Sequence, residues 1–271
     1  MGNLIQDGTI RRAPGRGGRL APMHPLLPLA AAGLAAGALN AFAGGGSFVT
    51  LPALMASGMP GVAANATSTV ALFPGGLASA WAWREGLGPV GRVGPRPLLA
   101  VTLAGGAAGA LLLLATPSRV FDHVLPWLLL AATLAMAFGA RVGEALRRHG
   151  AIRPGALLAV QFLLGLYGGY FGGAVGLMML AVWGLLDGRG PRELMGMRMV
   201  LVSGANAVAV ALFAALGAVR WPQALALMAG ATVGGWLGAV LGRRLPAAWV
   251  RGLTVAFTAA ITAAFFLKTG H

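Results

Sequence analysis

Between Arg19 and Arg84 the chain runs through 64 consecutive residues without a Lys, Arg, Asp or Glu. As one helix this stretch would extend about 96 Å at about 1.5 Å per residue, roughly three times a bilayer core of about 30 Å. It must therefore fold back, and Met59-Pro60-Gly61 is the natural turn, because proline and glycine both interrupt helices. The first segment, about 25–57, is still longer than one crossing needs. Gly44-Gly45-Gly46 and Pro52 fall within it, which predicts a broken helix. Further neutral stretches predict crossings at about 97–116, 120–140, 155–186, 194–217, 222–241 and 247–267. The total is eight segments. The fifth is also overlong, and Gly168-Gly169-Tyr170-Phe171-Gly172-Gly173 interrupts it.

The shared anomaly reads as an internal repeat. A shift of 128 residues sets Gly44-Gly45 on Gly172-Gly173, and a shift of 130 sets Gly76 on Asn206. The predicted fold is therefore an all-α polytopic membrane protein with about eight transmembrane segments in two four-helix repeats. The first segment of each repeat is broken at a Gly-rich stretch. Residues 1–20 read as a disordered basic tail, 21–140 as the first repeat, 141–154 as a cytoplasmic linker and 155–271 as the second repeat. The tail, the apolar run after it and Ala41-Phe42-Ala43 imitate a cleavable signal peptide, but the fifth segment holds the counterpart and cannot be one. With eight simple crossings, counting Lys and Arg by loop puts both termini inside, together with the 84–96 and 141–153 loops.

Composition excludes a soluble protein. Hydrophobic residues make up 58% of the chain and charged residues 10%, against roughly 25% charged in soluble domains. The bilayer is the solvent for most of this surface. The net charge of +14 sits mostly between long neutral runs, with no aromatic stacking module, so it reads as topology-setting loops rather than a nucleic-acid face. With no cysteine and no His-x-x-x-His pair, neither a metal site nor a cofactor is expected. No P-loop is present to drive a pump with ATP.

A broken helix in lipid leaves unpaired N–H and C=O groups that cost several kcal/mol each unless protein or a water-filled cavity lines them. Half-helix N-termini then aim N–H donors and positive dipole ends at the cavity, which suits an oxyanion. The candidate substrate-binding residues are Asn40, Gly44, Gly45, Gly46, Ser47, Asn65, Thr67, Ser68, Gly172, Gly173 and Asn206. Arg198, near the start of a hydrophobic segment, is a candidate for anion attraction, against a reading as an interface arginine reaching toward the headgroups. Gly230, Gly234, Gly238 and Gly242 form a small-residue ladder of the kind that packs membrane helices. No Asp or Glu lies deep in a segment, so no carboxylate proton relay is visible.

The run from Gly37 through Gly44-Gly45-Gly46 to Pro52, followed by Asn65-Ala66-Thr67-Ser68-Thr69, resembles the first repeat of the sulfite exporter TauE/SafE family. Gly172 and Gly173 match the second-repeat motif, with Leu180 where Pro52 would recur and Ala174 in register with Gly46. The resemblance implies a multi-pass protein of the bacterial inner (cell) membrane associated with small sulfur-containing anions such as sulfite or sulfonates. It implies a secondary transporter or facilitator with its site between the repeats, and not an enzyme. The partners are then a small anion, the lipid bilayer, a coupling proton or ion, and in a homodimer a second copy; nucleic acid is not among them. Two rival readings compete: a structural or assembly subunit without transport activity, and an intramembrane enzyme using Ser47, Ser68 or Ser203, for which no base lies at similar depth.

Overall fold

The structure is a computed structural model that describes residues 26–84, 87–146, 153–183, 193–242 and 247–269. The 1–20 tail and residues 147–152 of the 141–154 linker lie outside the described residues. Those described form ten helices and no strand: α1 (Leu26–Ala43), α2 (Ser47–Ala56), α3 (Gly61–Ala82), α4 (Pro95–Ala115), α5 (Ser118–Leu146), α6 (Pro154–Tyr170), α7 (Val175–Trp183), α8 (Met195–Ala215), α9 (Trp221–Gly242) and α10 (Ala247–Thr269). Three stretches, all of α4, all of α8 and Ser118–Gly139 of α5, are long and apolar enough to cross a membrane. Large apolar side chains such as Leu27, Trp81, Trp127, Trp236 and Leu267 stand exposed on the outside, as lipid contact requires. This is a helical, multi-pass membrane protein.

Both expected breaks are present. Helix α1 ends before Gly44, which adopts φ +71°, and α6 ends before Gly172 at φ +80°. Glycine takes such left-handed backbone without a Cβ penalty, which is why the helices stop where they do.

The broken segments do not continue across as single units, however; they fold back. Trp183 Nε1, at the end of α7, donates to Gln161 Oε1 in the first half of α6 at 3.1 Å. Were α6 and α7 roughly collinear, those groups would stand about 30 Å apart at about 1.5 Å per residue. Each pair is therefore a helical hairpin. In the first pair Gly46 returns to within contact of the Ala36 carbonyl and Asn40.

Two apolar clusters sort the helix ends. One holds the starts of α4 (Leu98), α6 (Leu157) and α8 (Met197), with Trp183 and the Val90 and Val93 of the α3–α4 loop. The other holds the ends of α4 (Leu113), α6 (Tyr170) and α8 (Phe213), with the starts of α1 (Leu29), α3 (Ala64), α5 (Phe121) and α9 (Ala224). So α4, α6 and α8 run one way, and α1, α3, α5 and α9 run the other. Helix α10 runs opposite to α5, because Thr133 meets Thr262 and Trp127 meets Phe266.

Glycines set the closest helix contacts. A Cβ on Gly234 would strike the Leu34 carbonyl oxygen, and one on Gly238 would stand 2.8 Å from the Ala38 Cα. The same contacts recur in α4 and α6: Gly105 lies on the Phe162 carbonyl and Gly109 on the Leu166 carbonyl. Phe162 and Leu166 follow Leu34 and Ala38 by 128 residues, while Gly234 and Gly238 follow Gly105 and Gly109 by 129. Gly230, Gly234 and Gly238 of the ladder thus form a packing seam, as their spacing predicts.

Candidate functional site

The hairpin tips meet across a cavity of about 100 Å³. That is several times the roughly 30 Å³ share of one water and far below the roughly 300–1,000 Å³ of a drug-sized site. Only a small solute fits. The first hairpin contributes Asn40, Gly44 and Ser47; the second contributes Gly172, Val175 and Gly176. Helix α3 lines it with Thr69, Leu72, Gly76 and Ser79, and α8 with Arg198, Met199, Val202, Ser203 and Asn206. Ser203 Oγ donates to the Gly76 carbonyl at 2.9 Å, tying α8 to α3 across the cavity.

Its electrostatics have one sign. Arg198 is the only charged residue on the lining, and no carboxylate faces it among the described residues. Its guanidinium has a single hydrogen bond there, to Met195 Sδ at 3.6 Å, and Nε is buried with no partner. Asn206 Oδ1 is likewise buried and unpartnered. Ser47 opens α2, and Val175 and Gly176 open α7, so both half-helix N-termini face this space. A first turn leaves N–H groups without intrahelical partners and carries a partial positive charge. Chemically, such a lining can stabilise a small anion, with apolar walls from Leu72, Met199 and Val202.

Of the residues singled out by sequence, Asn40, Gly44, Ser47, Gly172, Arg198 and Asn206 come together here. The others stand behind the wall. Asn65 Nδ2 donates to the Tyr170 carbonyl at 2.8 Å, joining α3 to the end of α6. Thr67 Oγ1 accepts the Arg220 N–H at 3.1 Å, and Ser68 Oγ shares a 2.5 Å hydrogen bond with Thr50 Oγ1. Gly45 and Gly46 are buried against Met136 and Leu72, and Gly173 against the Phe171 ring. Thr69, Ser79, Ser203 and Gly176 were not singled out as substrate contacts. Helical period alone links Arg198 to Val202 and Asn206, and Thr69 to Leu72 and Gly76, as one face each. What the linear pattern lacks is the hairpin fold that brings Gly176 beside that face.

Comparison with known proteins places the chain in a family of membrane transporters. A family model described as sulfite exporter TauE/SafE matches residues 29–265. A "probable membrane transporter protein" of Sinorhizobium (ORF9) is 30% identical over 227 residues, covering 83% of this chain and 84% of that protein. One from Haemophilus influenzae is 31% identical over 212 residues, or 76% of this chain and 81% of its own. YfcA of Escherichia coli K12, with the same description, is 30% identical over 210 residues, covering 78% and 76%. No solved structure matches the chain.

Proposed function

The chain belongs to the sulfite exporter TauE/SafE family of membrane transporters, and we propose that it carries a small sulfur-containing oxyanion such as sulfite or a small sulfonate through this cavity. The single observation that carries the reading is the Arg198 guanidinium at the two hairpin tips, its Nε buried without a partner and no carboxylate on the lining among the described residues. In a membrane interior an uncompensated cation is costly, and an anionic ligand is what balances it. The protein works as a secondary transporter or facilitator in the bacterial inner membrane, and no chemical step is assigned to it.

In this reading residues 21–140 and 155–271 are two repeats, each a helical hairpin followed by three helices. The hairpin returns to the face where it began. Three crossings then leave the second repeat inverted relative to the first, and the recurring contacts of Gly105 with Phe162 and Gly234 with Leu34 support that relation. Inverted repeats meeting at a midplane site are a recurrent plan for alternating access. The positive-inside rule then assigns the faces. Arg84, Arg92, Arg96 and Arg153 lie at the face where α4, α6 and α8 begin, and the α7–α8 and α9–α10 connections, which join helix ends at that face, carry further arginines in their sequence. That face is cytoplasmic, and the start of α1 and the end of α10 face outside, the reverse of the orientation that eight simple crossings predict. The linker keeps its cytoplasmic place.

The test is flux into proteoliposomes across a panel of sulfite, sulfate, thiosulfate and short organosulfonates, with and without a pH gradient. Saturable uptake of at least one anion, with a KM raised in Arg198→Gln, is the expected result. No flux above protein-free liposomes for any of them would refute the reading.

A further inference from the structure

We infer that Gly176 is a positioning residue whose missing side chain seats the Arg198 guanidinium in the cavity, so that Gly176 decides whether the site presents its one positive charge. This rests on the anion-transport reading for its functional consequence, though not for its geometry. A Cβ at position 176 would stand 2.6 Å from Arg198 Nε and 3.4 Å from Cζ. A Cβ essentially never comes within 3.0 Å of a non-bonded heavy atom elsewhere in the fold, so one partner must move.

The surroundings decide which. Helix α7 cannot back away, because Trp183 holds Gln161, whose Nε2 donates to Thr102 Oγ1 on α4 at 2.9 Å. Val202 Cγ2, one turn beyond Arg198 on α8, would lie 3.3 Å from the same Cβ and blocks a sideways shift. On the far side, the position of a Cβ on Gly44 is 3.7 Å from Arg198 Nη2, so the guanidinium bridges the two hairpin tips. It is the arginine that would be expelled. No second seat exists in the other half. The residue 130 positions before Arg198 is Ser68, neutral and bonded to Thr50, and the residue 128 before Gly176 is the fully buried Phe48. The charge of the site therefore comes from one repeat only, and the first supplies neutral groups such as Asn40 and Ser47.

The experiment uses the full chain, labelled with ¹⁵N-arginine in detergent micelles and reconstituted in parallel for uptake of sulfite as probe. The Nε–H resonance of Arg198 is assigned by its disappearance in Arg198→Ala. Gly176→Ala is expected to shift that resonance more than any other arginine signal, and to raise the KM for sulfite tenfold or more with Vmax within twofold. Adding Gly176→Ala to Arg198→Ala should change nothing further, because the side chain to be displaced is gone. A folded Gly176→Ala protein with an unmoved Arg198 resonance would overturn the inference. So would a Gly176→Ala penalty on thermal stability undiminished in the Arg198→Ala background, since that marks plain packing. A moved resonance in a protein that carries neither sulfite nor any other anion of the panel leaves the seat standing and removes the transport reading.

Discussion

A guanidinium whose Nε is buried without a partner states its preference plainly: that nitrogen lacks an acceptor, and no carboxylate among the described residues lines the cavity to provide one. Hydrogen bonds to charged groups are worth about 1.5–3 kcal/mol, so Arg198→Gln should weaken anion binding by roughly ten- to a hundred-fold. Substrate KM in proteoliposomes measures this, and an unchanged KM would remove Arg198 from the site. Asn65 should behave differently. Its amide satisfies the buried Tyr170 carbonyl, so Asn65→Ala should cost about 1–3 kcal/mol of stability while leaving KM near the parent value. A lower melting temperature with intact transport per folded molecule is the expected outcome; a selective loss of affinity would return Asn65 to the cavity. These two residues show what was legible at this scale. Polar residue types beside glycine breaks pointed to the region where the structure has its cavity, but whether a given amide faces that cavity or the wall depends on a neighbour a hundred residues away.

At the scale of the helix, the punctuation by charges and by Pro and Gly marked the element ends closely. The predicted 97–116 segment is Pro95–Ala115, and 222–241 is Trp221–Gly242. The overlong first and fifth segments broke at the expected glycines. Their direction after the break was not legible, because a helix running on and a helix folding back have the same length, hydropathy and glycine content. It takes the Trp183–Gln161 pair to tell them apart. The packing seams carry a clear prediction. Gly234→Ala and Gly105→Ala each push a methyl into a facing carbonyl, and overpacking of this kind costs typically about 1–3 kcal/mol. Gly75 sits within α3 with nothing near its missing Cβ, so Gly75→Ala should be neutral or stabilising by about 0.5–1 kcal/mol. Thermal unfolding in detergent separates the two classes, and equal melting temperatures across all three variants would contradict the seam.

For the whole molecule the parity of crossings is decisive, and it follows from the hairpins. Were each broken segment one crossing, both repeats would have the same orientation, with α8 antiparallel to α4. The structure has the starts of both in one apolar cluster and their ends in the other. The inverted arrangement also gathers the basic 242–251 stretch with the other basic connections, where eight simple crossings strand it outside. Cysteine labelling decides between them cleanly, since the chain contains no cysteine of its own. Glu193, exposed just before α8, and Leu216, exposed just after it, exchange faces between the two layouts. Gly88, in the α3–α4 loop, is cytoplasmic in both and serves as the reference. In sealed inside-out vesicles an impermeant maleimide should label Gly88→Cys and Glu193→Cys but not Leu216→Cys; in intact spheroplasts the pattern should reverse. If Leu216→Cys and Gly88→Cys label from the same face, the repeats are not inverted and the cavity cannot alternate between two hairpins related by a pseudo-two-fold axis in the way proposed.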